Sequence, residues 1–491
     1  MLDKQHISAL KSLVGDDNCF DDKAHLIAYC YDATKNRYEP SAVVFPRCEE
    51  DVSKVLKYCN DNKIAIVPRG AGSGFTGGAL PVTGGIVLAF EKHMNKILEI
   101  DTKNLVAVVQ PGVVNKELQE AVEKVGLFYP PDPASQEYST IGGNVAENAG
   151  GMRAAKYGIT KDYVMAMRAV IPNGDIIKAG KRTIKDVAGY NLCGILVGSE
   201  GTLAVTTEIT LRLIAKPKMT KTAMGVFPTV ESAMEAVYKT FAEGITPVAM
   251  EFLDNLTIRA VEDVHKKGLP IDAGAILITD VDGNLEEDLE LQMGALERVF
   301  KANGCSDFVR AKDATEASNL WFARRNASQS LKVYGSKKLN EDITVPRAVL
   351  PELLAQYKKV SEKYGFNIPC FGHTGDGNVH TNVMTDKNDP HKVEMAEKAI
   401  EEIFQIAIDL GGTLSGEHGI GVSKAPFMKM AFTDEEEKKQ YLDTHDELED
   451  HIGYHAILEE RSRCTSDKNT ERSALRDTGS IGSKCQTLRS T

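Results

Sequence analysis

Several things that would settle the class of this 491-residue chain at once are missing from it. No apolar run approaches the length needed to cross a bilayer. The opening stretch, MLDKQHISALKSLVGDD, is polar and acidic, unlike a secretory signal. Positive charge is not in excess: the net charge of −12 argues against a nucleic-acid partner. Nine cysteines are scattered from Cys19 to Cys485 without one C-x-x-C pair. That spacing excludes the common iron–sulfur and zinc-ribbon patterns and fits reduced thiols, so a cytoplasmic location is expected. There is no Walker A sequence and no internal repeat. What is present, 42% hydrophobic and 26% charged residues, is the balance of a globular protein long enough for two to four domains.

Residues 1–60 read as helices around a strand at 41–45, with helical period in Val52, Val55, Leu56 and Cys59. A strand at 64–67 follows, and from 68 to 217 short strands dominate: 86–90, 105–109, 165–171 and 203–213, heavily punctuated by glycine and proline. Near Lys216-Pro217-Lys218 the texture changes to a strand at 222–227, a helix at 231–241, and longer amphipathic helices such as 285–300 and 393–410. A domain boundary is expected near 217. The last stretch, 437–491, is an atypical polar tail, and residues 462–491 carry too few apolar side chains to pack, so they are read as disordered.

Two short segments concentrate chemistry. Residues 371–380 read FGHTGDGNVH and 416–419 read GEHG, which brings together His373, His380, Glu417 and His418. Imidazole nitrogen and carboxylate oxygen suit a borderline divalent metal such as Zn²⁺, Mn²⁺ or Fe²⁺. Glycine load between His373 and His380 disfavours a helix, and Thr374-Gly375-Asp376-Gly377 has turn chemistry. The chain is expected to reverse there and return His380 beside His373. Successive side chains of an extended segment diverge, so Glu417 and His418 do not share one metal easily. Glu417 is therefore assigned to the metal with His373 and His380, and His418 to proton transfer.

Three glycine-rich loops form the second constellation. In PRGAGSGFTGGAL, Gly72-x-Gly74-x-x-Gly77 matches a dinucleotide fingerprint. The fingerprint must open a helix, whereas here Ala79-Leu80-Pro81-Val82 and Gly84-Gly85 follow, so a Rossmann site is excluded. What remains is bare backbone amides able to nest a diphosphate. STIGGNVAENAGG (139–151) and GSEGTL (198–203) add two more such loops. Together they fit a long, flat, phosphorylated ligand held by backbone, and FAD is such a ligand.

These runs resemble the FAD-binding domain of the vanillyl-alcohol oxidase / p-cresol methylhydroxylase (PCMH) superfamily, and GHTGDGNVH with GEHGIG is similar to its 2-hydroxy-acid dehydrogenase branch of glycolate oxidase FAD subunits and D-lactate dehydrogenases. The resemblance spans about residues 5–436. It implies an α+β chain: a two-lobed PCMH-type FAD-binding domain (1–217), then an antiparallel-sheet substrate and metal domain (218–436). By match to the family motifs, Arg69, Gly70, Ala71, Gly72, Ser73, Gly74, Thr76, Gly77 and Gly78 hold the diphosphate. Pro133, Ser135, Ser139, Thr140, Gly142, Gly143 and Asn144 line the flavin, and Gly201, Thr202 and Val205 complete the site. No histidine occurs between Asp61 and His93, where some relatives tether FAD, so non-covalent FAD is implied. The same resemblance makes His373, His380 and Glu417 ligands of one divalent metal, His418 the base, Arg324 the clamp on the substrate carboxylate and Lys338 a second candidate clamp. The segment after Glu436 departs from the family pattern.

The activity implied is oxidation of a D-2-hydroxy acid, D-lactate or glycolate, with hydride transfer to flavin. With no iron–sulfur motif on the chain, electrons leave through a partner such as an electron-transfer flavoprotein, a quinone or oxygen. A metal-dependent hydrolase, a non-redox flavoprotein of the same superfamily and a subunit inactivated by its altered terminus stay open as readings, as does a homo-oligomeric state.

Overall fold

The computed structural model describes residues 2–432. The polar stretch 437–491 therefore lies outside the described residues. Three sheets organise the rest. The first runs in the order Cys19–Phe20, Ala42–Val44, Ile86–Ala89, Ile66–Arg69, with its last three strands parallel. Parallel neighbours need crossovers, and the Glu49–Asp61 helix supplies one, burying Val52, Val55, Leu56 and Cys59. The strand expected at 64–67 sits two residues later, at Ile66–Arg69. The Ile64 amide is tied to Cys59 O at 2.8 Å, which keeps it in the helix exit. Pro68 is tolerated because this strand is at the sheet edge.

The second sheet is antiparallel throughout, ordered Ile97–Asp101, Val106–Val109, Val205–Arg212, Val164–Val170, Ile176–Gly180. Glu49, at the start of the crossover helix, accepts hydrogen bonds from Arg168 Nε (2.9 Å) and Thr207 Oγ1 (2.7 Å) of this second sheet. One carboxylate thus pins the two lobes together.

The third sheet has seven antiparallel strands in the order Asp307–Arg310, Met219–Phe227, Ala275–Gly283, Ala249–Asp254, Cys370–His373, Asn378–Thr385, Lys337–Thr344. One face packs the helices Val230–Ala242, Glu286–Ala302, Leu350–Tyr364 and Pro390–Asp409 into the largest core, around Phe227, Phe252, Phe300 and Phe404. The other face carries Ala249, Leu253, Phe371 and Met384 against Ala323 and Ala327 of the Phe322–Ser330 helix. The α+β class expected from the sequence appears here. Among the described residues, no helix is long and apolar enough to cross a membrane.

Candidate active site

Pleating decides which side chains meet. The Cys370–His373 and Asn378–Thr385 strands form the hairpin expected from the glycine-rich turn, pairing Phe371 with His380. The neighbouring strands set Glu251 opposite His373 and Asp342 opposite His380. Side chains alternate between faces. Glu251, His373, His380 and Asp342 therefore share the face beneath the Phe322–Ser330 helix, while Phe252, Val379 and Ile343 enter the opposite core. Glu417 reaches the same point from the loop beyond the Pro390–Asp409 helix.

The three donor atoms form a nearly equilateral triangle. His373 Nε2 lies 3.3 Å from His380 Nε2 and 3.3 Å from Glu417 Oε1, and His380 Nε2 lies 3.6 Å from that oxygen. Ligands at about 2.1 Å in a tetrahedral shell stand about 3.4 Å apart. His373 Nδ1 is 2.6 Å from Glu251 Oε1. As a donor there it leaves its Nε2 lone pair aimed at the triangle's centre. Burial, with His373 and His418 beside it, pushes His380 well below its ordinary value, so it too offers a lone pair. Two nitrogen lone pairs and a carboxylate converging in a buried site call for a cation between them. Burial would also lower His373, but Glu251 and Glu417 push it well up. A proton there is what a divalent ion would displace. Further acid lies close by: burial pushes Asp376 up to about 7 and Asp132 up to about 6.

Glu251 is fully buried and accepts from two partners, His373 Nδ1 and Arg324 Nε, the latter at 2.5 Å. Burial opposes its ionisation, yet His373 and Arg324 hold it at about 2. Arg324 is thus anchored through Nε with its guanidinium 4.9 Å above the Phe371 ring. This leaves the Nη edge of the fork as the part that can meet a carboxylate. Lys338 sits further along the same sheet face, where its Nζ donates to Ser328 Oγ at 2.6 Å. Burial, with Lys332 and Lys35 nearby, brings Lys338 down to about 8. The sequence reading missed both Glu251 and Asp342.

His418 stacks on His380 (5.4 Å, 13°) and touches Phe75 (5.2 Å). Its Nδ1 lies 3.9 Å from Asp342 Oδ2. Burial would raise Asp342, but His418, Lys424 and His380 together with the Glu417 amide hold it well below the usual carboxylate range. Glu417 and His418 also line a long cleft between the first two sheets. The three glycine-rich loops converge on that cleft. Of the residues expected to hold the cofactor, Arg69, Gly70, Ala71, Gly72, Ser73, Gly74, Gly78, Pro133, Ser135, Ser139, Thr140, Gly142, Gly143, Asn144, Gly201 and Val205 line it. Thr76, Gly77 and Thr202 lie behind its wall. Thr76 Oγ1 donates to His418 O (3.0 Å), and Thr202 Oγ1 to Ser199 O (2.6 Å). Arg69 turns its guanidinium onto Tyr31 O (2.7 Å) and Ala79 O (3.2 Å), so it shapes the loop.

Two features show what the cleft accepts. Gly142 admits no side chain, since a Cβ there would meet Pro111 Cβ at 2.5 Å. Backbone therefore forms that wall. The buried Ser139 hydroxyl, a lining group, has no protein partner and is available to a ligand. A backbone-lined groove with an unspent hydroxyl fits the FAD expected from the sequence.

Comparison with known proteins agrees. Residues 40–180 match an FAD binding domain, and residues 216–438 match the C-terminal domain of FAD linked oxidases. The glycolate oxidase subunit GlcD of Bacillus subtilis is 43% identical over 431 residues, 88% of this chain and 91% of that protein. The chain belongs to the FAD-linked oxidase family. A D-lactate dehydrogenase of Anaerostipes hadrus is 36% identical, with 87% of this chain and 90% of that one covered. The crystal structure of p-cresol methylhydroxylase with substrate bound shares the fold at a TM-score of 0.72 and 19% identity, covering 88% of this chain and 91% of that one. As a member of this family the chain is a flavoprotein oxidoreductase that uses FAD.

Proposed function

We propose that this FAD-linked oxidase is a cytoplasmic dehydrogenase that oxidises a D-2-hydroxy acid, D-lactate or glycolate, to the 2-oxo acid. One observation carries the reading: Glu417, which completes the His373–His380 triangle, and His418, which lines the flavin cleft, are adjacent residues of one loop. A metal-polarised hydroxyl and a flavin would therefore lie on either side of His418. The relatives named for glycolate and D-lactate support the substrate class.

Each residue has a role on this reading. His418 takes the substrate hydroxyl proton, a task suited to an imidazole near neutral pH. The imidazolium so formed stands beside the ionised Asp342. Arg324 receives the substrate carboxylate on its Nη edge, with Glu251 fixing the fork from behind. Lys338 is the second candidate for the same anion. His373, His380 and Glu417 hold one Zn²⁺, Mn²⁺ or Fe²⁺, which supplies Lewis acidity to the hydroxyl when bound. The glycine loops hold FAD, which supplies the two-electron acceptor when bound. The binding is non-covalent, since no histidine lies in the first loop and the lining histidine, His418, is the proposed base. Residues 1–217 form the flavin domain and 218–436 the substrate domain. Electrons leave to a partner such as an electron-transfer flavoprotein. Anaerobic addition of D-lactate, L-lactate and glycolate to the metal-loaded protein tests the reading. Loss of the flavin band near 450 nm with D-lactate or glycolate is expected, and no loss with any of them refutes it.

A further inference from the structure

Segment 415–421 carries Glu417 and His418 without belonging to a helix or strand until Gly421. Loops of this kind are ordered by whatever takes their amides. Here one atom takes three in succession. Asp342 Oδ2 accepts from Ser415 Oγ (3.0 Å) and from the amides of Gly416 (3.0 Å), Glu417 (2.8 Å) and His418 (2.8 Å). The Asp342 side chain is fully buried, and its other oxygen is held by Asn378 Nδ2. Lys424 Nζ stands 3.9 Å from Oδ2. Three successive amides converging on one oxygen make an anion nest whose anion is the chain's own carboxylate.

After Gly419, whose φ of +82° reverses the chain, the loop passes to a second carboxylate. Glu200, from the flavin cleft, accepts the Ile420 amide at 2.8 Å and the Gly421 amide at 2.9 Å. The loop is thus suspended between an acid of the seven-stranded sheet and an acid of the flavin lobe, with Glu417 and His418 in the first half.

We propose that Asp342 is a positioning residue that sets Glu417 against the two histidines and His418 against the flavin cleft by binding the backbone of their shared loop. It touches neither substrate nor metal. Its effect passes through Glu417 and His418, so a single carboxylate governs metal affinity and proton transfer together. This rests on the metal reading of the site given above.

The test is Asp342→Asn in the full-length, FAD-bound protein. The amide keeps the size of the side chain but lacks the charge that draws three N–H groups to one point. Zn²⁺ and Mn²⁺ affinity, measured by chelator competition, should fall about 10–100-fold, the scale seen when groups that orient metal ligands are lost. Bound flavin should stay near wild type, whereas thermal unfolding should fall by several degrees, because a buried carboxylate held well below its ordinary range loses its charge beside Lys424. At saturating metal, flavin reduction by D-lactate should remain slower than wild type, because His418 shares the same hold. Ser415→Ala, which removes one donor and no charge, should shift metal affinity in the same direction by less, and carries the test if Asp342→Asn fails to fold. Wild-type metal affinity in both variants overturns the proposal. Wild-type protein that binds no divalent metal overturns instead the reading on which it rests.

Discussion

Glu251→Gln puts the carboxylate beneath the site to a quantitative test. Glu251 is fully buried and joins His373 to Arg324. Its pKa, held at about 2 against an ordinary 4.5, corresponds to roughly 3 kcal/mol of net favourable interaction with those two groups. Breaking a buried pair by removing one partner typically costs roughly 3–5 kcal/mol, because the other charge is left behind. The two routes agree, so the variant should lose about 3 kcal/mol and unfold several degrees lower. The sign follows from the depressed pKa. The stabilisation is fully present above pH 4.5 and fades as pH falls toward about 2, so the deficit should be complete at pH 7 and shrink in acid. With one oxygen replaced by an NH2 donor, the side chain can no longer accept from both His373 Nδ1 and Arg324 Nε, the hold on the His373 ring weakens, and metal affinity should fall about 10–100-fold. Thermal unfolding and chelator competition at pH 7.5 measure both. A variant within twofold of wild type in metal affinity and unchanged in melting temperature would refute the reasoning.

Other perturbations give distinct signatures. Asp280 is half-buried, accepting from Thr222 Oγ1 and Trp321 Nε1, and desolvation raises it to about 6. The folded protein then binds the extra proton between about pH 4 and 6, so stability falls as pH rises through that window. Asp280→Asn should melt higher than wild type at pH 8, by at most about 3 kcal/mol of stability, with the gap closing near pH 4. His418→Ala should keep metal and FAD but slow substrate-driven flavin reduction by about 10²–10⁴-fold, whereas Glu417→Gln should lose metal. Metal loss confined to the His418 variant would reverse the two assignments. Acid precipitation should release the flavin into the supernatant, and colour retained in the pellet would contradict non-covalent binding.

The site was legible in sequence where its chemistry was local. Glycines at 372, 375 and 377 break the helix that His373 and His380 could otherwise share, and the turn they force is the hairpin observed. The glycine-rich loops were legible for the same reason, since backbone exposure is written in the residue type. Glu251 and Asp342 were not. Glu251 lies in the largely apolar strand AMEFLD and Asp342 in the polar strand KKLNEDIT, and only cross-strand register places the first opposite His373 and the second opposite His380. Their contribution lies in what they hold, over separations of 122 residues for Glu251 to His373 and 75 for Asp342 to Glu417. For Glu251 the available signal was an acid flanked by Met250 and Phe252 in mid-strand; Asp342, beside Glu341 in a polar strand, offered none. Thr76 and Thr202 matched motif positions yet turn to structural bonds behind the cleft, because a motif fixes residue type and not which way a side chain turns.

The central claim is that the His373–His380–Glu417 triangle serves hydroxy-acid oxidation at the adjoining flavin. Rapid mixing of anaerobic protein with D-lactate or glycolate, followed near 450 nm, tests it when done on metal-loaded, chelator-stripped and reloaded samples with equal flavin content. The account predicts fast bleaching that is lost on stripping and returns on reloading. Bleaching at the same rate in the stripped sample would contradict it.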